Sequence, residues 1–230
     1  MMREIIVVCE GQTEEVFVNE ILAPTLGNRN VFLHPRLIAT SRHSKGGPLK
    51  GQRVLRFLRN TLRERRSTYV TTLFDLYALP MDFPGRNAAG ARMDPTDQAA
   101  AIEADFHAAV INAVGCRPDR FLPHIQPYEF EALLFSDPEQ FATVEPAWQR
   151  YVAQLEAARR SARSPEHIND GTETHPSARL RNLLRPRYNK VRHGRAVSAR
   201  IGIDRMRAEC AHFAGWLARV ESLPPLRPEV

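Results

Sequence analysis

The chain has 230 residues, of which 43% are hydrophobic, and its 32 basic and 26 acidic residues give a formal net charge of +6. This composition, with apolar runs far shorter than the ~18 residues of a membrane span, excludes a disordered, fibrous or membrane-spanning chain. Three scattered cysteines offer neither a disulfide framework nor a Cys-x-x-Cys metal site, so we expect a cytoplasmic protein.

Strands alternate with helices in the first 135 residues. The β-branched run at residues 4–9 predicts a strand buried on both faces, and a helix over residues 14–22, capped by Thr13 and ended by Pro24, follows it. Hydrophobic patterns predict further strands and helices in alternation, with strands near residues 31–38, 69–74 and 121–126 and helices near residues 53–66, 95–113 and 129–135. This order is typical of a mostly parallel sheet with helices on both faces, which is an α/β fold.

The rest of the chain is predicted to be mainly helical, with an irregular stretch at residues 188–194 and helices near residues 138–163, 177–184 and 204–221. We therefore expect an α/β core over residues 1–136 and a helical C-terminal portion over 137–230, packed together as one compact unit. Residues 150–230 include 16 basic and 8 acidic residues, so this part of the chain carries a net positive charge.

A basic surface suits nucleic acid, because any positive charge within reach neutralises a phosphate. A solvated surface in an arginine-rich protein explains the same charge equally well. On the first interpretation, the nucleic-acid contacts are assigned to Lys45 and Lys50, in and beside a basic loop, and to Arg192 and Arg195.

Acidic residues follow three of the predicted strands. Glu10 follows the first strand, Asp75 the third, and Glu129 and Glu131 the fourth. The carboxyl ends of parallel strands meet at one edge of a sheet, and carboxylates there suit a hard cation such as Mg²⁺ or Mn²⁺. Asp82, in the loop after the third strand, is a further candidate ligand. The alternative is that these acids bind no metal ion and only cap the ends of strands and the starts of helices.

Lys190 and His193 lie three residues apart in a basic segment. Together they suit the binding of a phosphate or the donation of a proton to a leaving oxygen, and a plain basic surface loop is the alternative. The sequence contains no P-loop, nucleophile-elbow or His-Glu-x-x-His motif, so it does not encode the chemistry of those sites.

Residues 5–15 resemble the first motif of Toprim domains, in which an apolar strand ends in Glu-Gly and a helix follows. Topoisomerases, primases and the overcoming-lysogenization-defect (OLD) nucleases share that fold. The resemblance implies that Glu10 is a metal ligand or a general acid or base, and that a later strand ends in Asp-x-Asp. Asp75 matches the first aspartate, whereas Tyr77 stands in the place of the second. A two-metal arrangement would therefore need Asp82 or Glu129 as a substitute.

Further segments look like a bacterial family, the domain of unknown function 4276 family. The matching segments are residues 10–14, 77–85, 126–135, 168–171, 176–177 and 188–194. The resemblance implies a Toprim-like fold, a homodimer, and a gene neighbour that encodes an ATPase of the AAA or SMC type. It also implies a role in phage defence or DNA processing.

These observations together predict a Mg²⁺-dependent nuclease that cleaves phosphodiesters of nucleic acid, with DNA as the expected substrate. One alternative is a catalytically silent subunit that binds an ATPase partner or nucleic acid, which the tyrosine at position 77 favours. A phosphatase or nucleotide hydrolase on the same fold is a third interpretation. The residues expected to carry the nuclease chemistry are Glu10, Asp75, Glu129, Glu131, Lys190 and His193.

Overall fold

The structure is a computed structural model that describes residues 2–38, 49–87, 94–168 and 174–226. Its strands are β1 (Arg3–Cys9), β2 (Val31–Leu37), β3 (Tyr69–Asp75), β4 (Phe121–Leu122) and β5 (Ile125–Gln126). They form one sheet in the order β2-β1-β3-β4, with β5 also beside β3, and the paired strands are parallel. The predicted α/β class, with a mostly parallel sheet and a helical C-terminal region, is confirmed.

The centre of the sheet determines where the strand-end acids lie. β1 lies between β2 and β3, and Cys9 at its end is opposite Leu37 on one side and Leu73 on the other. Every residue of β3 is buried, as are the last five residues of β1. Continuous apolar runs form such strands because both faces of the sheet are covered by other elements. The residues that follow β1 and β3 therefore emerge side by side.

The prediction of a single strand over residues 121–126 is wrong, because the structure has two short strands there, β4 and β5. Pro123 and His124 lie between them and interrupt the pairing with β3. Proline has no N–H to donate to the sheet. The hydroxyl of Thr72 on β3 compensates, since it donates to the His124 carbonyl at 2.9 Å and accepts the His124 N–H at 3.0 Å. The two short strands therefore stay aligned with β3.

Helices cover the sheet and form the C-terminal region. The α-helices are α1 (Gln12–Phe17), α2 (Ala23–Gly27), α3 (Gly51–Glu64), α4 (Pro95–Val114), α5 (Gln140–Val144), α6 (Val152–Arg160), α7 (Pro176–Leu183), α8 (Lys190–Ile201), α9 (Ile203–Glu209) and α10 (Ala211–Ser222). Short helical turns complete the described chain at Leu76–Ala78, Pro118–Arg120, Phe130–Ser136, Pro146–Tyr151 and Pro165–His167, and a π-helical turn over Val18–Leu22 joins α1 to α2.

The first helix differs from its prediction at both ends. Gly11, not Thr13, is the residue that precedes the first turn of α1, and the Glu14 carboxylate accepts the Gly11 N–H at 2.9 Å. Pro24 does not end the helix, because the π-helical turn leads directly into α2 and Pro24 lies in the first turn of that segment. The chain therefore stays helical past Pro24 to Gly27.

Two predictions in the C-terminal region are also corrected. Residues 188–194 are not irregular: α8 begins at Lys190, and the Asn189 side chain caps it by accepting the Arg192 N–H at 2.8 Å. The helix predicted over residues 204–221 is two helices, which are separated at Cys210. α10 begins anew there because the buried Glu166 carboxylate accepts N–H bonds from its first turn.

The core consists of two hydrophobic clusters. One cluster joins Val7 of β1 to Leu217 of α10 and includes side chains from most of the C-terminal helices. The other joins Val8 of β1 to Leu58 of α3 and Phe106 of α4. Alternate residues of β1 thus contribute to different clusters, as a strand covered on both faces requires. Among the described helices, none combines the length and the apolar character needed to cross a membrane.

Candidate active site

Two acids meet where β1 and β3 end. Glu10 directly follows β1, and its Oε2 accepts a hydrogen bond from the backbone N–H of Asp75 at 3.3 Å. Asp75 is the last residue of β3 and is 7% exposed, and its Oδ1 accepts the Phe130 N–H at 2.8 Å. The Glu10 carboxylate therefore connects the ends of β1 and β3, and the Asp75 carboxylate connects β3 to the segment after β5.

The segment after β5 brings two more carboxylates to this edge. Tyr128 adopts a left-handed backbone conformation, with φ of 59°, and its carbonyl accepts the Tyr77 N–H at 2.9 Å. This sharp turn leads into the helical turn that contains Glu131, so that oxygen atoms of Asp75, Glu129 and Glu131 all lie within 4.8 Å of one another. Of the four strand-end acids predicted to meet, Asp75, Glu129 and Glu131 form this close group, whereas Glu10 contacts the backbone of Asp75 and is not part of it.

Glu129 is held by residues that precede and begin α7. Its Oε2 accepts hydrogen bonds from His175 Nδ1 and from the Ser177 N–H, both at 2.9 Å, and its Oε1 accepts the Ser177 hydroxyl at 3.0 Å. Burial raises the pKa of Glu129, but Lys190 and these donors outweigh it and lower the pKa below its ordinary value. Glu129 is therefore an oriented carboxylate that stays ionised.

Lys190 brings a positive charge to the carboxylates from the start of α8. Its Nζ lies 3.2 Å from Glu131 Oε2 and 3.7 Å from Glu129 Oε1, and 35% of its side chain is exposed. Burial alone would lower the pKa of Lys190, but Glu131 and Glu129 raise it above its ordinary value. The ammonium group is therefore charged at neutral pH.

Glu131 has one oxygen without a partner. The side chain is 1% exposed, and Oε1 makes no hydrogen bond within the described chain. Burial raises the pKa of Glu131 to about 7, although Lys190 acts in the opposite direction. A buried, unpartnered carboxylate oxygen is costly unless it binds a proton or a cation.

Glu14 adds a further carboxylate that the sequence did not assign to the site. It is 6% exposed, and burial raises its pKa. Burial and the neighbouring Glu14 raise the pKa of Glu10 to about 7, and burial followed by Glu14 and Glu10 raises the pKa of Asp75 well above its ordinary value. The cluster therefore carries more potential negative charge than Lys190 balances.

Tyr188 lies beside this acidic cluster. Its hydroxyl is buried without a hydrogen-bond partner in the described residues, and burial followed by Glu131 raises its pKa well above the ordinary value. A Cβ at position 194 would lie 3.0 Å from that hydroxyl, so Gly194 allows the close approach of Tyr188 to α8. The site thus contains two polar atoms without a hydrogen-bond partner in the described residues: the acceptor Oε1 of Glu131 and the hydroxyl of Tyr188.

The structure does not bring His193 or Asp82 to the cluster. His193 Nδ1 accepts the Asn189 N–H at 2.9 Å, and its ring packs edge-on against Trp148 at 4.8 Å, so this histidine supports the start of α8. Asp82 is exposed, and its carbonyl oxygen would lie 2.7 Å from a Cβ at Gly51. Its backbone is thus packed against the start of α3.

The four cations assigned to nucleic-acid binding lie on the surface where they are described. Arg192 and Arg195 are exposed on α8, and Arg195 forms an ion pair with Glu20. Lys50 is exposed directly before α3, and Lys45 lies outside the described residues. Arg192 is the member of this set within two residues of Lys190.

Several residues of the site were missed by sequence reasoning. The sequence patterns assigned neither Glu14 nor His175 to the site. The signal that could have found Glu14 is its place in the Glu-Gly-x-x-Glu pattern that begins at Glu10. Ser177 and Tyr188 lie in segments that carry the family resemblance, but no spacing rule connects them to Glu129 and Glu131.

The residues at this edge fit a hard divalent cation. Three carboxylates within 4.8 Å of one another offer the oxygen ligands that Mg²⁺ and Mn²⁺ prefer. The unpartnered Oε1 of Glu131 provides a free ligand atom. Burial, followed by the charges of Glu14 and Glu10, raises the pKa of Asp75, and a bound cation would favour its ionised form.

Comparison with known proteins identifies the family. The family model described as "Domain of unknown function (DUF4276)" matches residues 9–221, so the chain belongs to this family. The comparisons with curated proteins and with solved structures gave no match.

Proposed function

We propose that this member of the DUF4276 family is a Mg²⁺- or Mn²⁺-dependent nuclease with a Toprim-like core, which hydrolyses phosphodiester bonds of nucleic acid, with DNA as the expected substrate. One observation carries the proposal. Asp75, Glu129 and Glu131 meet at the carboxyl edge of a parallel sheet, and Lys190 lies beside them. Such edges are where α/β folds bind their ligands.

Asp75, Glu129 and Glu131 would hold the cation. When bound, it would supply charge neutralisation at a phosphate and activation of a water molecule. The hydrogen bonds that the Phe130 N–H, His175 and Ser177 donate to these carboxylates fix their orientation without using the unpartnered Glu131 oxygen. A preoriented set of ligands favours binding because less freedom is lost.

Glu10 is the residue best suited to move a proton. Its pKa of about 7 leaves it partly protonated at neutral pH, so that it can accept a proton and return it. The bond from the Asp75 N–H to Oε2 keeps the carboxylate at the strand edge. Glu14 acts through Glu10, because its nearby negative charge contributes to the raised pKa.

Lys190 and the residues around it suit a phosphate. A third of the Lys190 side chain is exposed, so its ammonium group can turn from Glu131 toward a phosphate oxygen in the open part of the site. Arg192 on the same helix is exposed and adds positive charge. The Tyr77 ring, which is 47% exposed and stacked on His175 at 4.8 Å, offers a surface on which a base can stack.

A partner ATPase completes the proposal. These 230 residues contain no P-loop, so they do not themselves encode ATP hydrolysis of that type. An ATPase of the AAA or SMC type, and a role in phage defence or DNA processing, follow from the resemblance to ATPase-associated Toprim nucleases such as the OLD family. A homodimer is proposed on the same basis.

A silent binding subunit is the alternative. Two observations favour it: Lys190 already contacts Glu131 and Glu129, and an aromatic ring replaces the second aspartate after Asp75. In that case the ammonium group takes the place of a metal ion. The partner or the nucleic acid would then bind without being cleaved.

The test is Mg²⁺ and Mn²⁺ binding by calorimetry together with cleavage of plasmid DNA by the same preparations. We expect the wild type to bind the ion and to cleave, Asp75→Asn to lose both, and Glu10→Gln to lose cleavage while its circular dichroism spectrum is unchanged. Cleavage retained in Glu10→Gln would contradict the catalytic assignment. Wild type that binds no ion, with or without DNA, would favour the silent subunit.

A further inference from the structure

A second group of metal-ligand side chains lies where three elements meet. Glu103 is on α4, His124 lies between β4 and β5, and His212 is in the first turn of α10. One ligand atom from each lies within 4.8 Å of the others, and their side chains are 8%, 0% and 12% exposed. The nuclease proposal does not use these residues.

The three ligand atoms are close enough to share an ion. Glu103 Oε1 lies 2.8 Å from His212 Nε2 and 3.5 Å from His124 Nδ1. The His124 Nδ1 atom is fully buried, and it has no hydrogen-bond partner in the part of the chain that the structure describes. Its other ring nitrogen, Nε2, faces the Gln126 Oε1 at 3.4 Å. With the proton on Nε2, the Nδ1 lone pair points at Glu103 and is free to bind a metal.

The three side chains are held firmly. The His124 ring is stacked on Trp216 at 4.4 Å with an angle of 7° between the planes, and the Trp216 indole donates to the Thr71 hydroxyl at 2.9 Å. Glu103 Oε1 also accepts the Ile125 N–H at 2.8 Å, which leaves a second lone pair on the same oxygen. Ligands fixed by such contacts form a preorganised site.

The charged neighbours leave room for a cation. Both carboxylate oxygens of Glu166 accept N–H bonds from His212 and Phe213, at 2.9 and 3.0 Å, so Glu166 is committed to capping α10. The Arg219 guanidinium lies 3.5 Å from Glu103 Oε2, on the oxygen that does not face the histidines. A cavity of about 570 Å³, lined in part by Glu103 and Arg219, lies on the Glu103 side of the cluster.

We propose that Glu103, His124 and His212 bind a zinc ion. Two imidazole nitrogens and one carboxylate oxygen are ligands that zinc prefers, whereas the all-carboxylate edge at Asp75 suits Mg²⁺. The three ligands leave the fourth tetrahedral position for a water molecule or a donor from the adjacent cavity. The ion would also tie α10 to the sheet and to α4.

The competing explanation is a metal-free ion pair between protonated His212 and Glu103. Calorimetry with Zn²⁺, and the visible absorption of Co²⁺ as a probe, distinguish the two on the full chain after treatment with a chelator. We expect one Zn²⁺ per chain, a Co²⁺ spectrum of nitrogen and oxygen ligands, and a loss of affinity of about 100-fold or more in His212→Gln and in Glu103→Gln. His34→Gln, which alters an exposed histidine of β2, should bind like the wild type.

Asp75→Asn separates this site from the carboxylate edge, because it should keep full Zn²⁺ affinity whatever its effect on Mg²⁺. X-ray absorption at the zinc edge identifies the ligands of the ion in the wild type, so it requires no variant to fold. We expect two imidazole ligands. No Zn²⁺ binding by the wild type, a shell of oxygen ligands alone, or unchanged affinity in folded His212→Gln and Glu103→Gln would overturn the proposal.

Discussion

The carboxylate of Glu10 accepts a hydrogen bond from the backbone N–H of Asp75, with 3.3 Å between Oε2 and nitrogen. The bond connects the ends of two adjacent parallel strands, since Cys9 is paired with Leu73 one residue earlier. It also places two acids where burial, followed by the nearby charge of Glu14, raises the pKa of each. The parallel register of β1 and β3 thus produces an edge that favours protons or cations.

The first prediction compares Asp75, the last residue of β3, with Asp82, which lies in the loop after that strand. Asp75→Asn keeps an oxygen that can accept the Phe130 N–H but removes a charged ligand, so we expect Mg²⁺ affinity to fall by about 10-fold or more. Asp82→Asn should bind Mg²⁺ like the wild type, because Asp82 is exposed and outside the group of close carboxylates. Calorimetry measures both. Equal losses in the two variants would show that the loop after β3 contributes a ligand.

The second prediction concerns pH and the buried Glu131. Its pKa rises from an ordinary value of about 4.5 to about 7 on folding, mainly because of burial. Between these two values the folded protein holds a proton that the unfolded chain has released. The free energy of unfolding therefore falls as the pH rises from 4.5 to 7, by up to about 3 kcal/mol from this group.

Urea denaturation in the presence of a chelator, at a series of pH values, measures that fall. In Glu131→Gln the fall should be smaller than in the wild type, because the side chain no longer titrates. Glu10, Glu14 and Asp75, whose pKa values are also raised, contribute to what remains. Glu64→Gln, an exposed substitution at the end of α3, is the control and should follow the wild-type curve. Parallel curves for wild type and Glu131→Gln would refute the raised pKa.

The third prediction tests whether Lys190 and a cation balance the same charges. Lys190→Met keeps the aliphatic stem but leaves Glu129 and Glu131 without their ammonium partner. At pH 8 we expect a loss of about 1–2 kcal/mol of stability, less than for a fully buried pair because the lysine is partly exposed. Added Mg²⁺ should raise the melting temperature more in this variant than in the wild type.

The control for Lys190 is Arg195→Gln, a change on the same helix that breaks an exposed ion pair between Arg195 and Glu20. Exposed ion pairs contribute little, so both stability and the response to Mg²⁺ should stay at wild-type values. If Mg²⁺ stabilises Lys190→Met no more than the wild type, the ammonium group and the cation do not share a site.

The sequence predicted the strand-end part of the site because that part follows from local patterns. Continuous apolar runs identify β1 and β3, and the parallel arrangement then places Glu10 beside Asp75. The donors to Glu129 could not be found in this way. His175 and Ser177 lie 46 and 48 residues further along the chain, and tertiary packing rather than any spacing brings them to it.

Contacts that no local pattern predicts also determine the structure of the helical C-terminal region. Residues 188–194 were predicted to be irregular, whereas the cap at Asn189 and the packing of His193 on Trp148 support α8. Glu103 and His212 are 109 residues apart in the sequence. No local motif therefore indicates the group that they form with His124.

The last prediction concerns the cap that starts α10. Glu166 is fully buried, and its carboxylate accepts the backbone N–H groups of His212 and Phe213. Glu166→Ala would leave these two donors without their acceptor, one of them buried, so we expect a loss of about 3 kcal/mol of stability. Glu145→Ala is a matched change at an exposed cap, where the carboxylate accepts the Ala147 N–H at 3.4 Å, and it should cost about 0.5 kcal/mol. Urea denaturation measures both variants, and similar losses would show that water replaces Glu166 at the start of α10.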